Sequence, residues 1–158
     1  YPPGASVNNG IDSDLCSLKY VTVDKVAEIV HTLGRGSLMA KVDIEAAYRL
    51  VPVHSEDRPL LGITIDEECF CDGMLPFGLR SAPKIFTAVA DPLEWCIRRR
   101  GVEYVFHYLD DFIILGPPGL DQCQNDLVSL QDVCSNLGVP LAAHKQEGPT
   151  SCLTFLGI

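Results

Sequence analysis

The chain contains no apolar run of the ~18 residues or more that a membrane-spanning helix requires, so no membrane partner is expected. It contains no C-x-x-C pair. Its seven cysteines (Cys16, Cys69, Cys71, Cys96, Cys123, Cys134 and Cys152) are odd in number and irregular in spacing. That pattern argues against a disulfide framework and for free buried thiols in a reducing, intracellular compartment, cytoplasm or nucleus. Cys69-Phe70-Cys71 could put two sulfurs on one strand face, but two ligands do not make a zinc site. The histidines at 31, 54, 107 and 144 show no ligand spacing, and His107, inside an apolar run, reads as a satisfied core or surface residue. Cations are scarce: 12 Lys and Arg stand against 21 Asp and Glu, a net charge of −9. A module that simply coats nucleic acid would be basic, so the charge argues against that class. It does not argue against an enzyme whose basic surfaces lie elsewhere in a longer chain. An initiator Met is lacking, and Tyr1-Pro2-Pro3-Gly4 has neither the basic nor the apolar region of a signal peptide, so the chain reads as the middle of a longer protein. Repeats, linkers and low-complexity tracts are also missing.

What is present is enough for a core. Of 158 residues, 47% are apolar, about the size and composition of one ordinary domain. Residues 1–22, rich in turn formers, suggest an irregular lead-in. Asp24 is a plausible N-cap for a helix through Val26, Ile29, Val30 and Leu33 that ends at Gly34 and Gly36. Leu38 to Ile44 reads as a strand running into Asp43, followed by a short turn or helix around Ala46–Tyr48. Leu50–Val53, Leu60–Ile65 and Cys69–Met74 read as further strands, the last two joined by a hairpin tip at Asp66-Glu67-Glu68. A helical stretch over 85–100 carries Pro92, which should kink or break it, and ends at Arg98-Arg99-Arg100-Gly101. Val102–Leu109 and Phe112–Leu115 should pair as a hairpin around Asp110-Asp111. Residues 120–137 form an amphipathic helix closed by Gly138, and Leu153–Ile158 reads as a final strand. The order is that of a split β-α-β unit: an α+β fold with an antiparallel sheet and two helices packed on one face.

In that topology Asp43, Asp110 and Asp111 converge on one rim of the sheet. Adjacent aspartates alone fit an ordinary turn as well. A third, strand-terminal Asp makes a metal site the sharper reading. Clustered carboxylates raise one another's pKa, and hard divalent cations relieve the repulsion. Two such ions about 4 Å apart would stabilise the attacking and leaving oxygens of a phosphoryl transfer.

These residues resemble the reverse transcriptase family, RNA-directed DNA polymerases, and its palm domain. Tyr108-Leu109-Asp110-Asp111 resembles the Y-x-D-D motif. Asp43-Ile44-Glu45-Ala46-Ala47-Tyr48 resembles the first catalytic motif, an Asp with an aromatic five residues on. Leu75-Pro76-Phe77-Gly78-Leu79-Arg80-Ser81-Ala82-Pro83 resembles L-P-x-G-x-x-x-x-P. Gly138–Lys145 and Phe155-Leu156-Gly157 resemble the segment that runs into the primer grip. Phe77 in place of the Gln usual in retroviral enzymes makes the chain look most similar to retrotransposons of the long-terminal-repeat or tyrosine-recombinase type.

The resemblance implies template-directed deoxynucleotidyl transfer to a primer 3′-hydroxyl on an RNA or DNA template, from deoxynucleoside triphosphates. It implies two Mg²⁺ ions, with Mn²⁺ as a possible substitute. Asp43, Asp110 and Asp111 would be catalytic. Asp43, Asp110, Asp111 and the Ile44 carbonyl would hold metal. Ile44, Ala46, Ala47, Tyr48, Phe77, Gly78 and Lys145 would face the nucleotide, with Tyr48 excluding a 2′-hydroxyl. Arg80 would touch template or nucleotide, or be a solvated surface residue. Residues 1–36 would be lead-in and a remnant of the fingers, and 37–158 the palm, ending where the primer grip begins. A piece of a polyprotein that lacks fingers and thumb should have little polymerase activity alone. The competing reading is a degenerate palm used as a nucleic-acid-binding or scaffolding module. Sequence says nothing of the oligomeric state.

Overall fold

The structure, a computed structural model, describes residues 6–158. In chain order its regular elements are α1 (Val23–Leu33), β1 (Leu38–Asp43), β2 (Gly62–Ile65), β3 (Glu68–Cys71), α2 (Ala82–Arg99), β4 (Val105–Tyr108), β5 (Asp111–Gly116), α3 (Gln122–Leu137) and β6 (Glu147–Thr150). Short 3-10 turns lie between them, including Ala47–Leu50 and Ala143–Lys145. The chain gathers into two compact units. The first takes residues up to Leu18 together with Ala46–Ala88, and the second takes Lys19–Glu45 and Val89–Ile158.

The second unit holds an antiparallel sheet in the order β4-β5-β1-β6. Every residue of β5 from Phe112 to Gly116 is buried, so this strand is covered on both faces. Ile113 and Leu115 form one face with Val26 and Ile29 of α1 and with Phe155. Gly116 belongs to the opposite face and lies against Cys123 of α3. There α3 lays a stripe of Cys123, Leu127, Leu130 and Cys134 on β1 and β5, the spacing of one helix face. The α+β expectation of an antiparallel sheet with helices on one face therefore holds, and α1 closes the other face. That explains why the sequence shows apolar runs here rather than alternation.

The expected boundaries shift in several places. Thr22, not Asp24, caps α1, its side chain accepting from the Lys25 N–H at 3.2 Å. Pro92 lies inside a continuous α2. The β4–β5 turn is Leu109-Asp110, because Tyr108 pairs with Asp111 and makes Asp111 the first residue of β5. The last strand is β6, while Leu153–Ile158 is a turn closed by mutual Phe155–Ile158 backbone bonds. β6 was hidden because its sequence is Glu-Gly-Pro-Thr, which carries no strand pattern. Gly148 permits it: with φ +87° it lies against the Met39 carbonyl and the Ala40 Cα of β1, where a side chain has no room.

The first unit contains the β2–β3 hairpin, whose tip Asp66-Glu67 has both residues at positive φ. Leu50–Val53 is not a strand. Leu50 ends the 3-10 turn, and Pro52 makes an isolated bridge to Met74. Strand β2 starts two residues later than expected, after the 3-10 turn Arg58–Leu61, and β3 stops at Cys71. The lead-in forms two 3-10 turns, Val7–Gly10 and Asp14–Cys16. Among the described residues no helix is long and apolar enough to cross a membrane. All seven cysteines are free thiols as expected, but only Cys123 and Cys134 are buried, while Cys69, Cys71 and Cys152 are exposed.

Candidate active site

Strand β1 delivers Asp43 at its C-terminal end, and β5 starts with Asp111 directly opposite. The Ile44 N–H donates to the Asp110 carbonyl at 3.0 Å, so Ile44 and Asp110 form the hydrogen-bonded pair and Asp43 and Asp111 the non-hydrogen-bonded one. Side chains at such positions stand closest to each other. Asp110 occupies the turn beside them, entered through Leu109 at φ +54°. Left-handed backbone is costly for a leucine, so the strands on either side must hold it there. Asp43 is nearly buried, at 8% exposure.

The segment 142–145 closes the site from the other side. The Ala142 N–H donates to the Asp43 carbonyl at 2.9 Å, and the Lys145 N–H to the Ala142 carbonyl at 2.9 Å. The Lys145 Nζ then lies 3.0 Å from both Oδ1 and Oδ2 of Asp43. This bond, and the charge behind it, raises the ammonium pKa. Burial pushes the Asp110 carboxyl upward, and Asp43 adds to the push. Burial does the same to Asp111, reinforced by Asp110 and then Asp43. Lys41 is committed elsewhere, to Glu147 at 2.9 Å and the Thr154 carbonyl at 3.0 Å.

The donor set therefore suits a hard cation. It is all oxygen, its charges are partly desolvated and mutually repelling, and one carboxylate already grips an ammonium with both oxygens. Among the described residues no group of three or more His, Cys, Asp or Glu side chains is drawn together around a single metal position. All-oxygen donor sets are the kind Mg²⁺ favours, usually with substrate phosphates among its ligands.

Asp43, Ile44, Asp110, Asp111 and Lys145 are thus brought together in the second unit. Ala46, Ala47, Tyr48, Phe77 and Gly78 belong to the first. Ala46 has φ +51° and starts the 3-10 turn that carries Ala47 and Tyr48, both buried. The Tyr48 ring is packed between aromatics, with centroids 5.1 Å from Phe77 and 5.7 Å from Phe86. Phe77 itself is 77% exposed. Gly78, at φ +86°, turns the loop. Sequence reasoning missed the residue that fixes this loop. Asn8 donates from Nδ2 to the Gly78 carbonyl at 2.7 Å and accepts from the Arg80 N–H at 2.7 Å. Its only signal was its place in a turn-forming Asn-Asn-Gly. The Arg80 guanidinium, expected at template or solvent, donates to the Ile11 carbonyl at 2.8 Å.

Comparison with known proteins bears on the whole chain. The family model described as "Reverse transcriptase (RNA-dependent DNA polymerase)" matches residues 3–158. The chain is 24% identical over 152 residues to Polyprotein P3 of Commelina yellow mottle virus, covering 96% of the chain and 8% of that polyprotein. It is 27% identical over 128 residues to the enzymatic polyprotein of Cauliflower mosaic virus (strain NY8153), covering 80% of the chain and 18% of that polyprotein. In fold it is similar to the foamy viral protease-reverse transcriptase solved in complex with an RNA/DNA hybrid, with a TM-score of 0.65, 18% identity, and coverage of 76% of this chain and 16% of that one. The chain spans less than a fifth of each of these relatives.

Proposed function

Because the chain belongs to the reverse transcriptase family, we propose that it is the palm-bearing part of a polyprotein enzyme that extends a primer 3′-hydroxyl with deoxynucleotides on an RNA or DNA template. The observation that carries this reading is the placement of Asp43 opposite Asp111 with Asp110 in the adjoining turn. A scaffold has no use for three carboxylates that cost one another stability. The foamy viral relatives solved with double-stranded DNA and with an RNA/DNA hybrid support a primed duplex as partner.

The geometry supports the following roles. Asp43, Asp110 and Asp111, with the Ile44 carbonyl, would hold two divalent cations, Mg²⁺ or Mn²⁺. When bound, these would acidify the primer hydroxyl and neutralise the triphosphate. Lys145, bonded to both oxygens of Asp43, would turn toward the phosphates. The chain would provide the anionic cradle and the strands beneath it, which would hold the reacting oxygens in place at little entropic cost. In the first unit, Ala46 and Ala47 would present their amides to the phosphates. Phe77 and Gly78 would line the nucleotide. Tyr48, wedged between Phe77 and Phe86, would stand under the sugar and exclude a 2′-hydroxyl. The seven free thiols favour work in a reducing compartment.

Asp110→Asn in the full-length protein tests the proposal. Incorporation should drop by ~10³-fold or more, since several kcal/mol of charge stabilisation would be lost. Near-normal incorporation by that variant refutes it. Failure of the full-length protein to bind Mn²⁺ in calorimetry favours a degenerate palm that acts as a scaffold.

A further inference from the structure

His107, on β4, is not needed by the mechanism above, yet it is one of the most completely bonded side chains of the second unit. Its side chain is 9% exposed. The ring stacks on Phe112, its cross-strand neighbour, at 5.2 Å between centroids and 23° between planes. Nδ1 lies 3.2 Å from the Leu109 carbonyl, and Nε2 lies 3.0 Å from Oδ1 of Asp91 on α2. Oε2 of Glu94 is 3.8 Å from Nε2, and Glu94 is itself bonded to Arg98 at 2.9 Å. Both direct partners can only accept, so both bonds together require an N–H on each ring nitrogen.

The Leu109 carbonyl matters because of where it sits. It belongs to the peptide unit joining Leu109 to Asp110. Leu109 is in the left-handed conformation, which its own side chain disfavours. A tether on that carbonyl fixes the plane from which the Asp110 side chain departs. Asp91, from a helix packed beside β4, then fixes the ring that provides the tether.

We propose that His107 is a positioning residue for the polymerase site: through Nδ1 it locks the Leu109–Asp110 peptide, and through Nε2 it is anchored to Asp91. This rests on the palm reading of Asp110 given above.

The test separates the two ring nitrogens. In the full-length protein, His107→Asn keeps a donor where Nδ1 is and loses the one at Nε2, while His107→Gln does the reverse. His107→Ala should lower kcat for primer extension about tenfold or more, with the KM for deoxynucleotide changed less than about twofold, as misplacement of a reacting group does. His107→Asn should recover most of kcat, and His107→Gln little. A residue that merely fills space would not rank Asn above Gln. Long-range proton–nitrogen correlation spectra of histidine-labelled protein should show His107 Nδ1 protonated. Recovery by Gln equal to or better than by Asn overturns the proposal, as does an unprotonated Nδ1. Asp110→Asn is run alongside. If it is inactive while His107→Ala is normal, the positioning role fails and the palm reading stands. If Asp110→Asn is itself normal, the palm reading fails first, and the spectra alone decide whether the tether exists.

Discussion

Asp43 and Asp111 face each other at a non-hydrogen-bonded position of the β1–β5 ladder, two carboxylates where opposed side chains come closest. Like charges so placed destabilise a sheet. The burial that raises the Asp111 pKa adds to the cost of its ionised form. Asp111→Asn should therefore stabilise the metal-free protein by ~0.2–1 kcal/mol while impairing nucleotide incorporation. Urea unfolding without divalent cations checks the first half, and a loss of stability in the variant would contradict it.

Lys145 acts as the internal counter-ion, touching both oxygens of Asp43. Any divalent cation that binds Asp43 must displace it. Lys145→Ala should therefore tighten Mn²⁺ binding in the absence of nucleotide. The same variant should slow extension if Lys145 later meets the phosphates. Titration calorimetry reads the affinity, and weaker Mn²⁺ binding by the variant would show that Lys145 organises the site rather than competing for it.

How much of this could be read from the sequence depended on whether a local pattern carried the signal. The three aspartates were legible because Asp43 ends one apolar strand, Asp111 begins another and Asp110 lies in the turn before it, and the β-α-β-β-α order follows from helix periodicity and strand runs. Lys145 was placed by resemblance, but its bond to Asp43 was not legible, because a lone lysine carries no pattern. β6 was invisible, since Glu-Gly-Pro-Thr becomes a strand only because Gly148 fits against β1. Asn8 holding the Gly78 loop and His107 holding the Leu109 carbonyl were missed for the same reason. In both, the bond that matters runs from a single polar side chain to a backbone group, and backbone groups leave no trace in the sequence.

At Gly116, α3 lies tight against the sheet. A Cβ there would stand 2.8 Å from both the Cβ and the backbone nitrogen of Cys123. The helix backbone cannot yield as a flexible side chain would. Gly116→Ala should cost about 1–3 kcal/mol, the usual penalty of overpacking, with both active-site strands still formed. Thermal or urea unfolding measures it, and a neutral result would mean that α3 is free to move off β5.

Cys123 and Cys134, both on the buried stripe of α3, have thiols pushed up by burial to about 11. The folded state therefore favours the neutral thiol. That contribution is fully present below the unfolded value of 9.0 and is lost as pH rises through about 11. Between those limits the unfolded chain releases protons that the folded chain keeps. Stability should fall by about 1.4 kcal/mol per pH unit for each thiol. A Cys123→Ala/Cys134→Ala variant should lack this component of the alkaline slope, even though tyrosines and lysines still titrate in both proteins. Urea midpoints at pH 8, 9 and 10 for the two proteins give the difference directly. Parallel slopes would show that the buried thiols ionise without unfolding. Alkylation provides the second reading: at pH 8 the exposed Cys69, Cys71 and Cys152 should react first, and Cys123 and Cys134 only on the timescale of opening.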